Sequence, residues 1–296
     1  MKKKLSGTVV CFGEVLWDMM PRGACPGGAP MNVAIHLKRQ GQYPLLVSSV
    51  GKDMEGVGLK NFLLLEGLDL SYLLEDNLLP TSKVLVHLDE WNNATYEICG
   101  PVAWDNIFMT EELEKLALKA GLIVFGTLAS RNKTTRNTLL RLLEISTAVK
   151  LLDVNLRAPY DTKELVQMLL QKADFVKLND EELKRIANWN GRIGKEDELL
   201  YWLSDHYNCP SVCLTRGANG ATLLFEGRMY RHPGFKVTAV DTVGAGDAFQ
   251  AALIAKLSEG CSPEKSLEYA SATGAFVASR TGAVPFYNRE DIESLL

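Results

Sequence analysis

The chain has 296 residues, 47% hydrophobic and 23% charged, with 32 Lys and Arg against 36 Asp and Glu for a net charge of −4. This is a globular composition, not a disordered or fibrous one, and it is long enough for one large core. Apart from Lys2-Lys3-Lys4 there is no basic block to attract nucleic acid or an anionic membrane, and no apolar run nears the ~20 residues of a membrane span, so a cytoplasmic protein is expected.

In chain order, the segment after Phe12 (about 13–28) and the stretch 80–105 read as parts of a small β lid. Within the latter, Val84 to Leu88 and Thr95 to Ile98 alternate at strand period around a turn at Asn92-Asn93. Thr110 caps a helix running to Ala120, Gly121 stops it, and Leu122 to Phe125 is a buried strand. A helix from Asn132 to Ile145 and a strand from Lys150 to Val154 repeat the pattern. Asp161 with Glu164 makes a capping box for a helix to Ala173, and strand Phe175 to Leu178 follows. Helices at Asp180 to Ala187 and Lys195 to His206 precede strand Ser211 to Thr215, and Ala221 to His232 is a hairpin turning at Glu226-Gly227. The end is helical, from Ala248 to Glu259, from Ser262 to Ser279, and in a tail from Arg289. This alternation predicts right-handed crossovers and a mainly parallel sheet covered on both faces, in a single domain spanning 1–296. The six cysteines form no Cys-x-x-Cys pair and read as reduced thiols, with Cys209 and Cys213 as small buried hydrophobes rather than a redox or metal site.

The most informative stretch is Asp241-Thr242-Val243-Gly244-Ala245-Gly246-Asp247, opening an apolar helix. Small residues at a helix start let backbone N–H groups point at an anion, and the helix dipole adds partial positive charge there. Asp247 in the first turn can then take a proton from a hydroxyl attacking a phosphoryl group. By itself the stretch is equally a glycine-rich turn whose carboxylate is favoured by the dipole. It is neither a Walker loop, lacking the Lys-Ser/Thr ending, nor a dinucleotide loop, since Phe249 stands where the third glycine belongs.

As a whole string, however, Asp-Thr-x-Gly-Ala-Gly-Asp with its small-residue helix resembles the C-terminal signature of the ribokinase-like (PfkB) carbohydrate kinases. Gly27-Gly28-Ala29-Pro30-Met31-Asn32-Val33-Ala34, followed by Gly41 and Gly51, resembles that family's N-terminal signature. The resemblance covers essentially the full chain. It implies a three-layer α/β/α fold with a small β lid, and ATP-dependent phosphorylation of a primary hydroxyl on a small sugar. It further implies Asp247 as base, with Gly244, Ala245 and Gly246 as the anion hole. Asp18, in Gly13-Glu14-Val15-Leu16-Trp17-Asp18, inherits a sugar-binding role together with Gly27, Gly28 and Asn32. Physically, the glycines allow close approach, and an Asn offers a donor and an acceptor to vicinal hydroxyls.

Asn179-Asp180-Glu181-Glu182 fits the family's Asn-x-x-Glu, which implies that Asn179 and Glu182 order Mg2+ and its waters. Taken alone, these residues are a good helix start. Thr215-Arg216-Gly217-Ala218-Asn219-Gly220 resembles the turn that lies against the nucleotide, and a plain hairpin explains its glycines equally well. The tail from Ala278 to Pro285, through Arg280 and Gly282, resembles the loop that with Asp241 and the Val243 carbonyl holds a monovalent cation such as K+. Phe286 stands where some relatives carry a small polar residue.

Within the family the chain is most similar to the fructokinases, with the 2-keto-3-deoxygluconate kinases as runner-up, since both carry Asp153-Val154-Asn155-Leu156-Arg157. Arg157 suits a substrate carboxylate, sugar hydroxyls or a buried acid. From Val84 to Asn106 there is no Lys or Arg, which favours a neutral sugar such as fructose over a sugar acid. Tyr96 or Trp104 is a candidate to cover the sugar face or to pack the lid's own core. Pairing of the lid predicts a homodimer. A dehydrogenase is disfavoured because no Gly-x-Gly-x-x-Gly follows a first strand, and a hydrolase because no Gly-x-Ser-x-Gly is present. A non-catalytic sugar-binding or partner-binding relative is the alternative of a different class.

Overall fold

The computed structural model describes residues 7–20, 23–88 and 94–296. The chain opens with β1 (Thr8–Phe12), then an antiparallel pair, β2 (Leu16–Met20) and β3 (Gly23–Gly27). Helix α1 (Ala29–Arg39) starts directly after Gly28, whose φ of 118° suits glycine, with Pro30 in its first turn. Strand β4 (Pro44–Gly51) leads to α2 (Met54–Leu65), capped by Asp53 accepting from the Gly56 amide, and β5 (Leu73–Asp76) lies along β4. Next come β6 (Ser82–Leu88) and β7 (Ala94–Ile98), and the turn expected between them at Asn92-Asn93 lies outside the described residues.

Helix and strand then alternate as expected. They run α3 (Glu111–Lys119), β8 (Ala120–Gly126), α4 (Lys133–Ile145), β9 (Val149–Asp153), α5 (Lys163–Leu170) and β10 (Phe175–Asn179). After α6 (Asp180–Trp189), α7 (Glu196–His206) and β11 (Ser211–Thr215), the hairpin of β12 (Ala221–Phe225) and β13 (Arg228–His232) turns at Glu226-Gly227. Helices α8 (Ala245–Ser258), α9 (Pro263–Ala278) and α10 (Arg289–Glu293) complete the fold.

The main sheet has the order β13-β12-β11-β10-β9-β8-β1-β4-β5, parallel from β11 to β5 and antiparallel at the hairpin edge. One face buries Leu139, Leu142, Leu169, Ile186 and Leu200 of the middle helices. The other buries Ile35, Leu59, Ala251, Leu253 and Phe276 from α1, α2, α8 and α9. A sheet covered on both sides explains strands that read as continuous apolar runs. A second sheet, β3-β2-β6-β7, carries β2 and β6 in parallel between antiparallel neighbours. This is the expected ribokinase-like arrangement of three layers plus a small sheet. No helix among the described residues is long and apolar enough to cross a membrane.

Two expectations are corrected. Thr162, not Asp161, caps α5, because the Asp161 carboxylate is drawn 2.6 Å from the Arg185 guanidinium instead. Trp104 is fully buried beneath Arg131 in the main core, so its ring covers no sugar, while Tyr96 falls outside the described side chains. The cysteine reading agrees with the structure in the burial of Cys209 and Cys213. All six are unpaired, and burial pushes the Cys209 and Cys213 thiols up to about 12, which suppresses the reactive thiolate.

Candidate active site

The parallel strands end at one rim of the sheet, where open α/β sheets bind ligands. Asp153, Asn179 and Thr215 are the last residues of β9, β10 and β11, and Glu14 lies just beyond β1. Over this rim, α8 begins at Ala245 because Gly244 takes the left-handed conformation at φ 76°. A Cβ on Gly244 would also collide with the backbone of Ala283, so the turn needs glycine on two counts. Three residues later in the same first turn stands Asp247, half-buried, its Oδ2 accepting from Asn32 Nδ2 at 2.8 Å. The two signature motifs, 215 residues apart, therefore meet in one hydrogen bond. Desolvation pushes the Asp247 carboxyl up to about 6, with Asp153 adding to the rise, while Lys177, the Asn32 bond and Arg157 oppose it.

In the small sheet, Asp18 of β2 faces Cys25 of β3, and its carboxylate occupies the space a Cβ on Gly27 would fill. Gly28 lies against the Glu14 carbonyl, where any side chain would clash. Burial raises the Asp18 pKa, and Arg157 opposes the rise. Arg157 reaches this group through Asn155, which bends the chain out of β9 at φ 39°. Its guanidinium is exposed, bonded to the Leu156 carbonyl, and makes no ion pair among the described residues. Lys83, a cation of the small sheet, is instead tied to Glu55.

Sequence reasoning missed Glu14 and Lys177 as members of the site. Glu14 is 4% exposed, holds the Ala29 amide at the start of α1, and leaves Oε2 without a partner among the described residues. Burial pushes it up to about 7, with Asp247 adding and Arg157 opposing. Lys177 lies on β10 and pairs with Asp153 of β9 at 2.7 Å, both buried. A lysine within the apolar string Phe-Val-Lys-Leu was the available signal, because a buried charge requires a partner.

At the ends of β10 and β11, Asn179 and Glu182 form a reciprocal capping box at the start of α6. The other Glu182 oxygen accepts from the Leu156 amide at 2.8 Å, binding the loop after β9 to α6. Burial raises this carboxyl's pKa, as does Asp153. Thr215 is in register with Asn179, and the turn beyond it uses Gly217 at φ 55° and Gly220 at φ 82°. Arg216 is held by Glu196 at 2.6 Å and by Thr222, so this segment offers its turn rather than a free cation. Asp241 accepts from the Val243 amide with one oxygen and from the Gly282 amide with the other, clasping the glycine loop to the tail loop. Arg280 lies over the Phe276 ring.

A family model described as pfkB family carbohydrate kinase matches residues 22–289. The fructokinase of Escherichia coli is 28% identical over 309 aligned residues, which cover 98% of this chain and 99% of that one. The fructokinase of Xylella fastidiosa, solved with bound ATP, superposes with a TM-score of 0.86 over 97% of each chain at 23% identity. The fructokinase of Vibrio cholerae, solved with fructose, ADP and a calcium ion, gives 0.83 over 99% of this chain and 100% of that one at 25% identity. Two signature loops joined by a hydrogen bond at the rim of the sheet, together with this family match, make the chain a member of the pfkB family of carbohydrate kinases.

Proposed function

We propose that this kinase transfers the γ-phosphoryl group of ATP to a primary hydroxyl of fructose. The observation that carries the reading is the Asn32 to Asp247 bond, which sets a hydroxyl-binding amide beside a carboxylate at a helix N-terminus. Asp18, Gly27, Gly28 and Asn32 bind the sugar. Asp247 accepts the proton of the attacking hydroxyl, and the amides from Gly244 to Asp247 stabilise charge on the transferring group. The Asn179 end of β10 and the turn of Thr215, Arg216, Gly217 and Gly220 receive the nucleotide.

Magnesium suits the donor set. Each Glu182 oxygen spends one lone pair on a backbone amide and keeps another for a metal-bound water, and Mg2+ retains most of its water shell. Asn179 and Glu182 would order that shell, and the ion supplies charge neutralisation at the phosphates. Asp241, with backbone oxygens of Val243, Arg280 and Gly282, is the proposed site for K+. The clasp between its two loops supports this placement.

Phosphorylation of 2-keto-3-deoxygluconate is the second reading, favoured by the exposed Arg157 guanidinium, which has no ion-pair partner among the described residues. An ADP-release assay across fructose, ribose, tagatose, mannose, adenosine and the keto-deoxy acid separates them. Fructose is expected to give the highest kcat/KM, and Arg157→Ala should raise KM for fructose by roughly 10-fold or less, as hydrogen bonds to a neutral sugar imply. Preference for the acid, with an Arg157→Ala loss confined to it, would move the enzyme to the second reading.

The proton acceptor also fixes a pH dependence. Asp247 works as the carboxylate, so kcat/KM should rise with pH through a midpoint near 6 and level off above it. Glu14 titrates close by, near 7, and Glu14→Gln should keep the acid limb if Asp247 sets it. Loss of the limb in Glu14→Gln would assign it to Glu14.

A further inference from the structure

We propose that Lys177, held by Asp153, is a positioning residue for phosphoryl transfer, supplying the buried positive charge on which the glycine loop and the Asp247 carboxylate depend. The proposal rests on the reading of Asp247 as proton acceptor.

The geometry begins with strand register. Lys177 and Asp153 are direct partners on the parallel strands β10 and β9, and their side chains meet at 2.7 Å. The pair lies below the opening of α8, and a Cβ on Gly246 would stand 3.5 Å from the Lys177 ammonium. A cation thus stands directly under the loop to which the reacting groups are delivered. A buried ion pair is poor evidence of a stability role, since desolvation cancels most of the attraction and an apolar pair often serves as well. Here the strand is otherwise apolar, Phe-Val-Lys-Leu, and a leucine would fit its pattern at lower cost. The charge is therefore assigned to the site above it.

The neighbouring charges give the two partners opposite effects. Asp247 on α8 is faced by Lys177 from β10, Asp153 from β9, Arg157 from the following loop, Glu14 from the segment before α1, and the neutral Asn32 from α1. Lys177 is faced by Asp153, Asp247 and Glu182 of α6. The Asp153 carboxylate, 2.7 Å from the Lys177 ammonium, is its direct counter-charge. Lys177 favours the ionised form of Asp247, whereas Asp153 disfavours it while keeping Lys177 in place.

The test is the titration midpoint of Asp247 in the full-length protein. It is read from its side-chain carboxyl 13C resonance, assigned with Asp247→Asn, and separately from kcat/KM against pH. Lys177→Met should raise the midpoint by about one unit or more, and Asp153→Asn should lower it. Lys177→Arg should hold it near the wild-type value. The double variant Lys177→Met with Asp153→Leu, which leaves no orphaned charge, should fall between wild type and Lys177→Met. If Lys177→Met alone does not fold, Asp153→Asn and the double variant still have to move in opposite directions. Midpoints that stay fixed, or that shift in the same direction, would reduce the pair to a structural brace and overturn the proposal. Full turnover in Asp247→Asn would instead refute the proton-acceptor reading, while the 13C titration would still decide the coupling.

Discussion

Asp247→Asn is expected to lower kcat by roughly 10²–10⁴, the usual loss for a positioned general base, which is about 2.7–5.5 kcal/mol of transition-state stabilisation. The substitution is close to isosteric. The introduced carboxamide can turn its carbonyl oxygen toward Asn32 Nδ2, so the hydrogen bond between the two signature motifs survives. Affinity for ATP should therefore change little, and the loss should appear in kcat rather than in nucleotide binding. Stability should move the other way. Folding raises the Asp247 pKa to about 6, above an unfolded value of ~3.9, so above pH 6 the ionised carboxylate costs the folded state free energy. That cost disappears as the pH falls below the unfolded value. At pH 7 the neutral amide should therefore stabilise the fold, on the order of 1–3 kcal/mol after allowance for the group's partial exposure to water. A variant that is nearly inactive yet melts higher would separate chemistry from folding. Near-wild-type turnover would remove Asp247 from the role, and a lower melting temperature would mean that the desolvation argument is wrong.

The same carboxylate shows what the amino-acid string reveals and what it conceals. Gly244 and Gly246 are legible because an anion-binding turn needs small residues, and Gly28 because its backbone conformation excludes side chains. The alternating helices and strands from Thr110 onward are legible because their periods are strong and their caps local. Contacts between distant segments leave at most the sign of a buried charge that needs a partner, and never which partner it finds. Glu14 seals the start of α1 from the segment beyond β1, and Lys177 finds Asp153 only once β9 and β10 align in register. Trp104 illustrates the converse error. An aromatic beside an alternating strand reads as lid, but Arg131 draws it into the main core. Asp161 is a related case, since a local capping pattern loses to a guanidinium 24 residues away.

Arg131→Met is expected to destabilise the protein by ~3–5 kcal/mol, because it leaves the Asp105 carboxylate buried without its counter-charge. The guanidinium and the carboxylate meet in a fork, Nε to Oδ1 and Nη2 to Oδ2, each at 2.7 Å, with both side chains nearly inaccessible. Such two-point geometry is the strong form of a charged hydrogen bond. The arginine also lies 4.1 Å from the Trp104 ring centre and 4.7 Å from that of Tyr160, and it donates to the Cys99 carbonyl just beyond β7. One side chain therefore fastens the end of the small sheet to the main core. A chain of this size should lose roughly 5–15 °C in Tm. Calorimetry or denaturant melts measure this directly, and Arg131→Met combined with Asp105→Leu should recover much of the loss by removing the orphaned charge. The double variant still lacks the bond to Cys99, so its KM for sugar should remain above the wild-type value even where its stability returns. Recovery of both together would mean that Arg131 serves only to neutralise Asp105, whereas a single variant melting within about 2 °C of wild type would show that the pair is not buried as described.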